Sequence, residues 1–386
     1  MTARLRSVPA ADPDAGLSLP AWTYRDPEFF AAERALVLRA AWQVVCHVSD
    51  IAAPGNWHTL EFLGESIIVI RGDDSEIRAF TNVCRHRGAR LVDGASGCVS
   101  KLVCPYHAWT YGRDGRLTAL PGRSDYPGLR LEDHGLAPVA LEIWQGFVFV
   151  RLENRGPSVA TMMQDHLPEV QPHRFADVRP LGRVTLRPRA CNWKIIADNY
   201  SDGLHIPVAH PGLKRLFGNS YGIEAGAHVD RMWGDIGPGS GSWSERAYRR
   251  LRPRADHLGD AAQDRWLYFK LWPNVAFDIY PDQVDFMQFL PISATETMIR
   301  EISYALPDDR REMKAARYLN WRINRLVNAE DTALVTRVQA GMASASYTQG
   351  PLGESEVCLR AFAGKLREAI PAARSPTAPA PGWFRG

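Results

Sequence analysis

Two short segments, Cys84-Arg-His86-Arg-Gly88 and Cys104-Pro-Tyr-His107-Ala-Trp109, constrain this chain more than any other feature of its sequence. Each places a cysteine and a histidine within three residues of one another, and 17 residues lie between His86 and Cys104. Thiolates suit iron–sulfur clusters and imidazole also suits iron, so two loops that each bring one of each can close over a metal group from both sides. One reading is a [2Fe–2S] cluster in which two histidines replace two cysteines on one iron. The other is a Cys2His2 zinc site, but zinc fingers pair Cys with Cys and His with His at longer spacings. Gly88, Gly112 and Gly115 suit the tight turns such loops need. Cys46, Cys98, Cys191 and Cys358 read as core or incidental residues.

The remaining composition narrows the class. A chain of 386 residues with 45% hydrophobic and 23% charged residues is long enough for two globular domains. A net charge of +3, with basic residues dispersed, implies neither nucleic acid nor an anionic membrane as partner. No apolar run reaches the roughly 18–20 residues that would span a bilayer, and the first ten residues lack the apolar core of a secretory signal. Six cysteines in so long a chain are not a disulfide framework, and the Cys/His pairs point to metal in a reducing compartment, with cytoplasm the expectation.

Along the chain, residues 1–20 are Ala/Pro/Asp-rich and expected to be poorly ordered at the start. Asp26-Pro27 opens a helix that runs to Trp42. From 44 to 155, short apolar runs between turn signals, such as 66–71, 78–82 and 146–151, predict small antiparallel β structure that contains both Cys/His segments. An irregular connection covers 154–180. A second domain, 156–375, is expected to carry strands at 183–187, 267–280, 284–291 and 297–305 and helices near 192–206, 309–344 and 353–370. The stretch 235–265 has little periodicity and reads as a loop or lid, and a Pro-rich tail closes the chain at 376–386. The segment 1–43 is expected to pack on this second domain.

A cluster alone transfers single electrons, and Asp198-Asn-Tyr-Ser-Asp202-Gly-Leu-His205-Ile-Pro-Val-Ala-His210 carries something more. Helical spacing puts Asp198, Asp202 and His205 on one face, and Pro207 is expected to end that helix so that His210 follows from a turn. Two neutral imidazoles and one carboxylate on one face of Fe(II) leave positions open for O2 and substrate. The carboxylate must come from further along. Asp331 lies on the apolar stripe of the last long helix, where an unpaired carboxylate is expensive, and Glu330 borders the same stripe. Periodicity alone does not separate the two.

These segments together resemble the α subunits of Rieske non-haem iron oxygenases, the aromatic-ring-hydroxylating dioxygenase family. The resemblance implies an α+β chain: an antiparallel β Rieske [2Fe–2S] domain followed by a helix-grip catalytic domain. It implies that Cys84 and Cys104 hold one iron, His86 and His107 the other, and that Trp109 packs over the cluster. It makes His205, His210 and Asp331 ligands of a mononuclear Fe(II), with Asp202 bridging the two metal centres and Asn199 and Asp198 supporting them. Electrons would come from NAD(P)H through a separate reductase or ferredoxin, with O2 as co-substrate, in a ring-shaped homotrimer. The segments 198–213 and 272–285 look most like the branch that includes choline monooxygenase, carnitine monooxygenase and stachydrine demethylase, which implies a methylammonium substrate. Tyr200, Trp233, Trp266, Trp272, Phe277 and Tyr280 are candidate cation-binding rings. The alternatives are hydroxylation or O-demethylation of an aromatic compound, or an electron-transfer protein without oxygenase activity.

Overall fold

The computed structural model describes residues 14, 16–239 and 241–385, so the expected disorder of the first 13 residues lies outside the described part. The chain forms two compact units. One holds Arg39–Arg183 and Ser303–Pro307; the other holds the rest. The helix expected from Asp26 exists as α1 (Pro27–Leu36), with Asp26 capping it by accepting the Phe29 N–H at 2.7 Å. It ends six residues earlier than expected and belongs to the larger unit.

The smaller unit is antiparallel β. It contains β1 (Gln43–His47), β2 (Asn56–Phe62), β3 (Glu65–Arg71), β4 (Ile77–Thr81), β5 (Ser96–Cys98), β6 (Leu102–Val103), β7 (Thr110–Tyr111), β8 (Leu117–Ala119), β9 (Ala140–Trp144) and β10 (Phe147–Arg151). These pair as β4-β3-β2-β5, β6-β7-β8 and β1-β10-β9. The β-branched run Ile67-Ile-Val-Ile70 suits a strand paired on both sides, and all four are fully buried. Leu63 and Gly64, both at positive φ, turn β2 tightly into β3. Trp57, Ile68, Phe80, Leu102 and Leu117 pack around Cys84, Cys104 and Trp109 in one core. The connection at 154–180 is built of consecutive short helical turns between 159 and 177, not irregular chain, followed by β11 (Arg179–Pro180), which pairs with Tyr304–Ala305. Phe175, whose carbonyl meets His47 Nε2 at 2.9 Å, ties those turns down.

The larger unit centres on an antiparallel sheet of β12 (Thr185–Arg189), β13 (Gly222–Glu224), β14 (Val229–Asp235), β15 (Arg265–Leu271), β16 (Val275–Ile279), β17 (Val284–Ser293) and β18 (Glu296–Ala305), in the order β12-β18-β17-β16-β15-β14-β13. The single strand expected over 267–280 is a hairpin, β15 to β16, broken around Pro273, which has no N–H for a ladder. Helices follow as α2 (Trp193–Ser201), α3 (Ile206–Ala209), α4 (Pro211–Phe217), α5 (Trp243–Leu251), α6 (Arg311–Gly341) and α7 (Val357–Ala369). Helix α5 falls inside 235–265, where a loop was expected. Its start is a capping box between Ser242 and Glu245, and its buried Tyr248 joins the core with Trp266 and Leu319.

Candidate metal centres

The two Cys/His loops share one hydrogen-bond plan. In the first, Cys84 N–H donates to Ala89 O at 2.8 Å and Cys84 O accepts from Gly88 N at 3.0 Å. In the second, Cys104 N–H donates to Trp109 O at 2.8 Å and Cys104 O accepts from Ala108 N at 3.0 Å. Each loop closes through a left-handed residue, Gly88 at φ +75° and Ala108 at φ +54°. Of the other glycines expected to serve tight turns, Gly115 adopts positive φ and Gly112 does not.

The side chains are prepared for metal. The Nδ1 atoms of His86 and His107 are buried and have no hydrogen-bond partner, a costly condition that a metal would relieve. His86 offers its other nitrogen to Tyr126 Oη at 3.5 Å, which leaves Nδ1 for ligation. The two imidazoles lie 4.7 Å apart between centroids, and Trp109 stacks on His86 at 4.8 Å and 7°. Burial and the neighbouring Cys104 raise the Cys84 thiol above its ordinary value, so thiolates here require a compensating cation. Tyr111 accepts the Arg85 N–H at 2.9 Å, which aims its own O–H at Cys84 Sγ, 3.4 Å away. Among the described residues the four donors do not converge on one point as a single zinc ion demands, and they suit a two-iron cluster.

The second centre does converge. One ligand atom each from His205, His210 and Asp331 lies within 4.8 Å of the others. His210 Nε2 stands 2.9 Å from Asp331 Oδ1 and 3.1 Å from His205 Nε2, and His205 Nε2 stands 3.7 Å from Asp331 Oδ1. The local fold differs from the single helix expected over 192–206. Helix α2 stops at Ser201, because the Asp202 carboxylate accepts the Leu204 and His205 N–H groups and so competes with the helical ladder. Pro207 then sits in the first turn of α3, where its missing N–H costs nothing, so it opens a helix where it was expected to end one. His205 precedes α3 and His210 follows it.

Both histidines are held through the nitrogen that faces away from the convergence point. Asp202 Oδ2 lies 3.1 Å from His205 Nδ1, and Glu330 Oε2 lies 2.7 Å from His210 Nδ1. A carboxylate on Nδ1–H fixes the tautomer that leaves Nε2 bare. Burial opposes ionisation of Asp202, but the bonds from His205 and Leu204 outweigh it and hold the carboxyl below its ordinary value. Burial likewise disfavours the His210 imidazolium, yet Asp331 and Glu330 together raise its pKa. Glu330 therefore reaches His210 from behind while its neighbour Asp331 faces the convergence point, which separates the two residues that periodicity left open. Replacing Glu330 with glutamine is expected to weaken Fe(II) binding roughly 10–100-fold in equilibrium dialysis, with the cluster spectrum unchanged. Equal affinity would show that Glu330 is incidental.

Asn199 donates to Asp331 Oδ1 at 3.2 Å and sits 3.4 Å from His205 Nε2. Asp198 points elsewhere: it accepts from Tyr24 Oη at 3.0 Å, and burial pushes its pKa up to about 6 against the pull of Lys270 and Tyr24. A cavity lies beside Asp331, lined by Arg189, Tyr200, Asn328 and the apolar Ile196, Met287 and Phe289, among others. Of the six candidate rings, Tyr200 lines it; Trp266, Phe277 and Tyr280 are core residues, and Phe289 is a lining ring the sequence did not single out. No helix of the described residues is long and apolar enough to cross a membrane.

Residues 41–133 match the family of Rieske [2Fe–2S] domains, and 175–372 match the catalytic domain of ring-hydroxylating α subunits. The oxygenase subunit of carnitine monooxygenase from Acinetobacter pittii (strain PHEA-2) is 29% identical over 348 residues, 87% of this chain and 88% of that protein. The oxygenase subunit of glycine betaine monooxygenase from Chromohalobacter salexigens is 39% identical over 196 residues, 51% of this chain and 44% of that protein. A crystal structure of the quaternary ammonium Rieske monooxygenase CntA with L-carnitine superposes with a TM-score of 0.75 at 25% identity, covering 93% of this chain and 96% of that one.

Proposed function

We propose, since this chain belongs to the family of Rieske-type ring-hydroxylating oxygenase α subunits, that it is the terminal component that oxidises an N-methylated or quaternary ammonium compound. The observation that carries this reading is the convergence of His205, His210 and Asp331 beside a cavity. The relatives named for carnitine, glycine betaine and choline support the substrate class. We assign the cluster to Cys84, His86, Cys104 and His107 within a domain at 44–155, and the mononuclear iron to 156–375. The chain is placed in the cytoplasm as a homotrimer served by a reductase or ferredoxin.

When bound, the two iron centres supply one-electron transfer and O2 activation. The overall change balances as C–H plus O2, two electrons and two protons giving C–OH and water. Hydroxylation of a carbon bonded to nitrogen lets the C–N bond break, leaving an amine and a carbonyl compound. The chain's own residues set the stage for this. Asp202 and Glu330 keep the Nδ1 protons of His205 and His210, so both Nε2 lone pairs stay available. Asn199 restrains Asp331 from the side, and the apolar lining excludes water from the substrate carbon. Trp109 stacked on His86 holds that ring in place.

A reductase-supplied screen of choline, carnitine, glycine betaine and substituted benzoates tests the reading. Substrate-dependent O2 uptake with a methylammonium compound, with its amine and carbonyl products, is the expected result. Uptake with the benzoates alone would replace this substrate class with the aromatic one.

A further inference from the structure

We propose that Arg189 binds a carboxylate of the substrate, so that the compound taken is a zwitterion carrying both a methylated ammonium and a carboxylate. This rests on the reading of the site above and narrows it.

Arg189 ends β12 and lines the cavity that Asp331 also lines. Its guanidinium donates to Asn328 Oδ1 at 2.8 Å and to Pro188 O at 3.0 Å, both neutral acceptors. A guanidinium has five N–H donors, so these two bonds leave part of the fork free. Among the described residues no carboxylate lies within ion-pair distance of it. Arg187, two residues earlier, is paired with Glu301 at 2.6 Å, so the strand satisfies one arginine and leaves the other open. Burial, together with the like charge of Arg187, lowers the Arg189 pKa. Glu301, which Arg187 holds, and Asp331 of the cavity wall pull the other way without pairing with it.

The other walls suit the opposite end of such a molecule. Tyr200 and Phe289 present rings 5.7 Å apart at 57°, and Ile196 and Met287 add apolar surface. Methylated ammonium groups bind well to such faces. Asn328 stands one turn before Asp331 on α6, so the residue that holds Arg189 shares a helix face with the proposed ligand. A substrate clamped by its carboxylate at Arg189 is therefore oriented relative to Asp331. A bidentate carboxylate–guanidinium contact gives both affinity and direction.

The test uses the iron-loaded, cluster-containing protein with its electron supply, and compares glycine betaine and carnitine with choline, which lacks the carboxylate. The native chain is expected to turn over a carboxylate-bearing compound in preference to choline. Arg189→Gln is expected to raise the KM for that compound roughly 10–100-fold and to raise the KM for choline by a clearly smaller factor, while Arg189→Lys restores part of the loss. Calorimetric binding of the compound to resting protein should weaken by the same factor, with the cluster absorbance reporting that each variant is folded. Choline turned over with both carboxylate compounds refused would overturn this proposal and leave the methylammonium reading standing. An equal effect of Arg189→Gln on choline and on the betaines, or no effect on either, would also overturn it. Failure of every methylammonium compound would remove both.

Discussion

Substituting alanine for His210 is expected to abolish mononuclear iron binding while the cluster remains. His210 is 2% exposed, and its Nε2 stands 2.9 Å from Asp331 Oδ1, the shortest of the three distances at the convergence point. The variant keeps two donors on a site that needs three, and it strands Glu330, whose 2.7 Å contact to Nδ1 is lost. Structural metal sites bind with roughly 10–16 kcal/mol spread over four ligands, so one ligand corresponds to about 3–4 kcal/mol and a 10²–10³-fold loss of affinity. Iron assay after anaerobic dialysis should therefore show cluster iron alone, with unchanged visible absorbance and no substrate-dependent O2 uptake. Retention of a third iron at native affinity would remove His210 from the site.

The second large effect lies in the support of helix α2, which carries Asn199. Lys194 Nζ is fully buried and donates to Glu33 Oε1 at 2.6 Å, Asn192 Oδ1 at 2.9 Å and Thr23 O at 3.0 Å. The rings of Tyr24 and Phe29 stand 4.9 and 5.3 Å from it. Burial raises the Glu33 pKa, and Lys194 is the main force pulling it back. Lys194→Met leaves that carboxylate dry with Trp193 Nε1 as its remaining partner, at 3.1 Å. Breaking one side of a buried pair costs about 3–5 kcal/mol. At the roughly 2–4 °C per kcal/mol typical of units this size, the thermal midpoint should fall by about 10 °C. The double variant Glu33→Gln/Lys194→Met, which removes the orphaned charge, should recover much of the loss. A midpoint within 2 °C of the native value, in the scale just used, would show that the pair is dispensable.

What the sequence disclosed and what it hid divide along physical lines. The cluster loops were legible because donor chemistry and turn chemistry lie within six residues of chain, and the matching hydrogen-bond plans of Cys84 and Cys104 are local. His205 and His210 were legible for the same reason. The helix boundary before them was not, since propensity favours continuing past Ser201 and a side chain, Asp202, ends the helix by taking two N–H groups. Glu330 and Asp331 are adjacent on α6, and helical periodicity cannot assign two neighbours bordering one stripe. Only their partners, Nδ1 and Nε2 of the same imidazole, separate them. Helix α5 did leave a signal, the Ser242 and Glu245 pair of a capping box, inside a segment whose charge density made it look like a loop. The Glu33–Lys194 pair spans 161 positions, and no pattern in a single sequence reveals such a partner.

An oxygenase of this kind holds both a cluster and a separate oxygen-activating iron in one chain. Iron and acid-labile sulfide counted per chain after anaerobic purification and Fe(II) loading test it most directly. About three irons and two sulfides are expected, with the third iron lost in the His210 variant. A chain that holds two irons and two sulfides at saturating Fe(II) would be an electron carrier, and the oxygenase reading would be wrong.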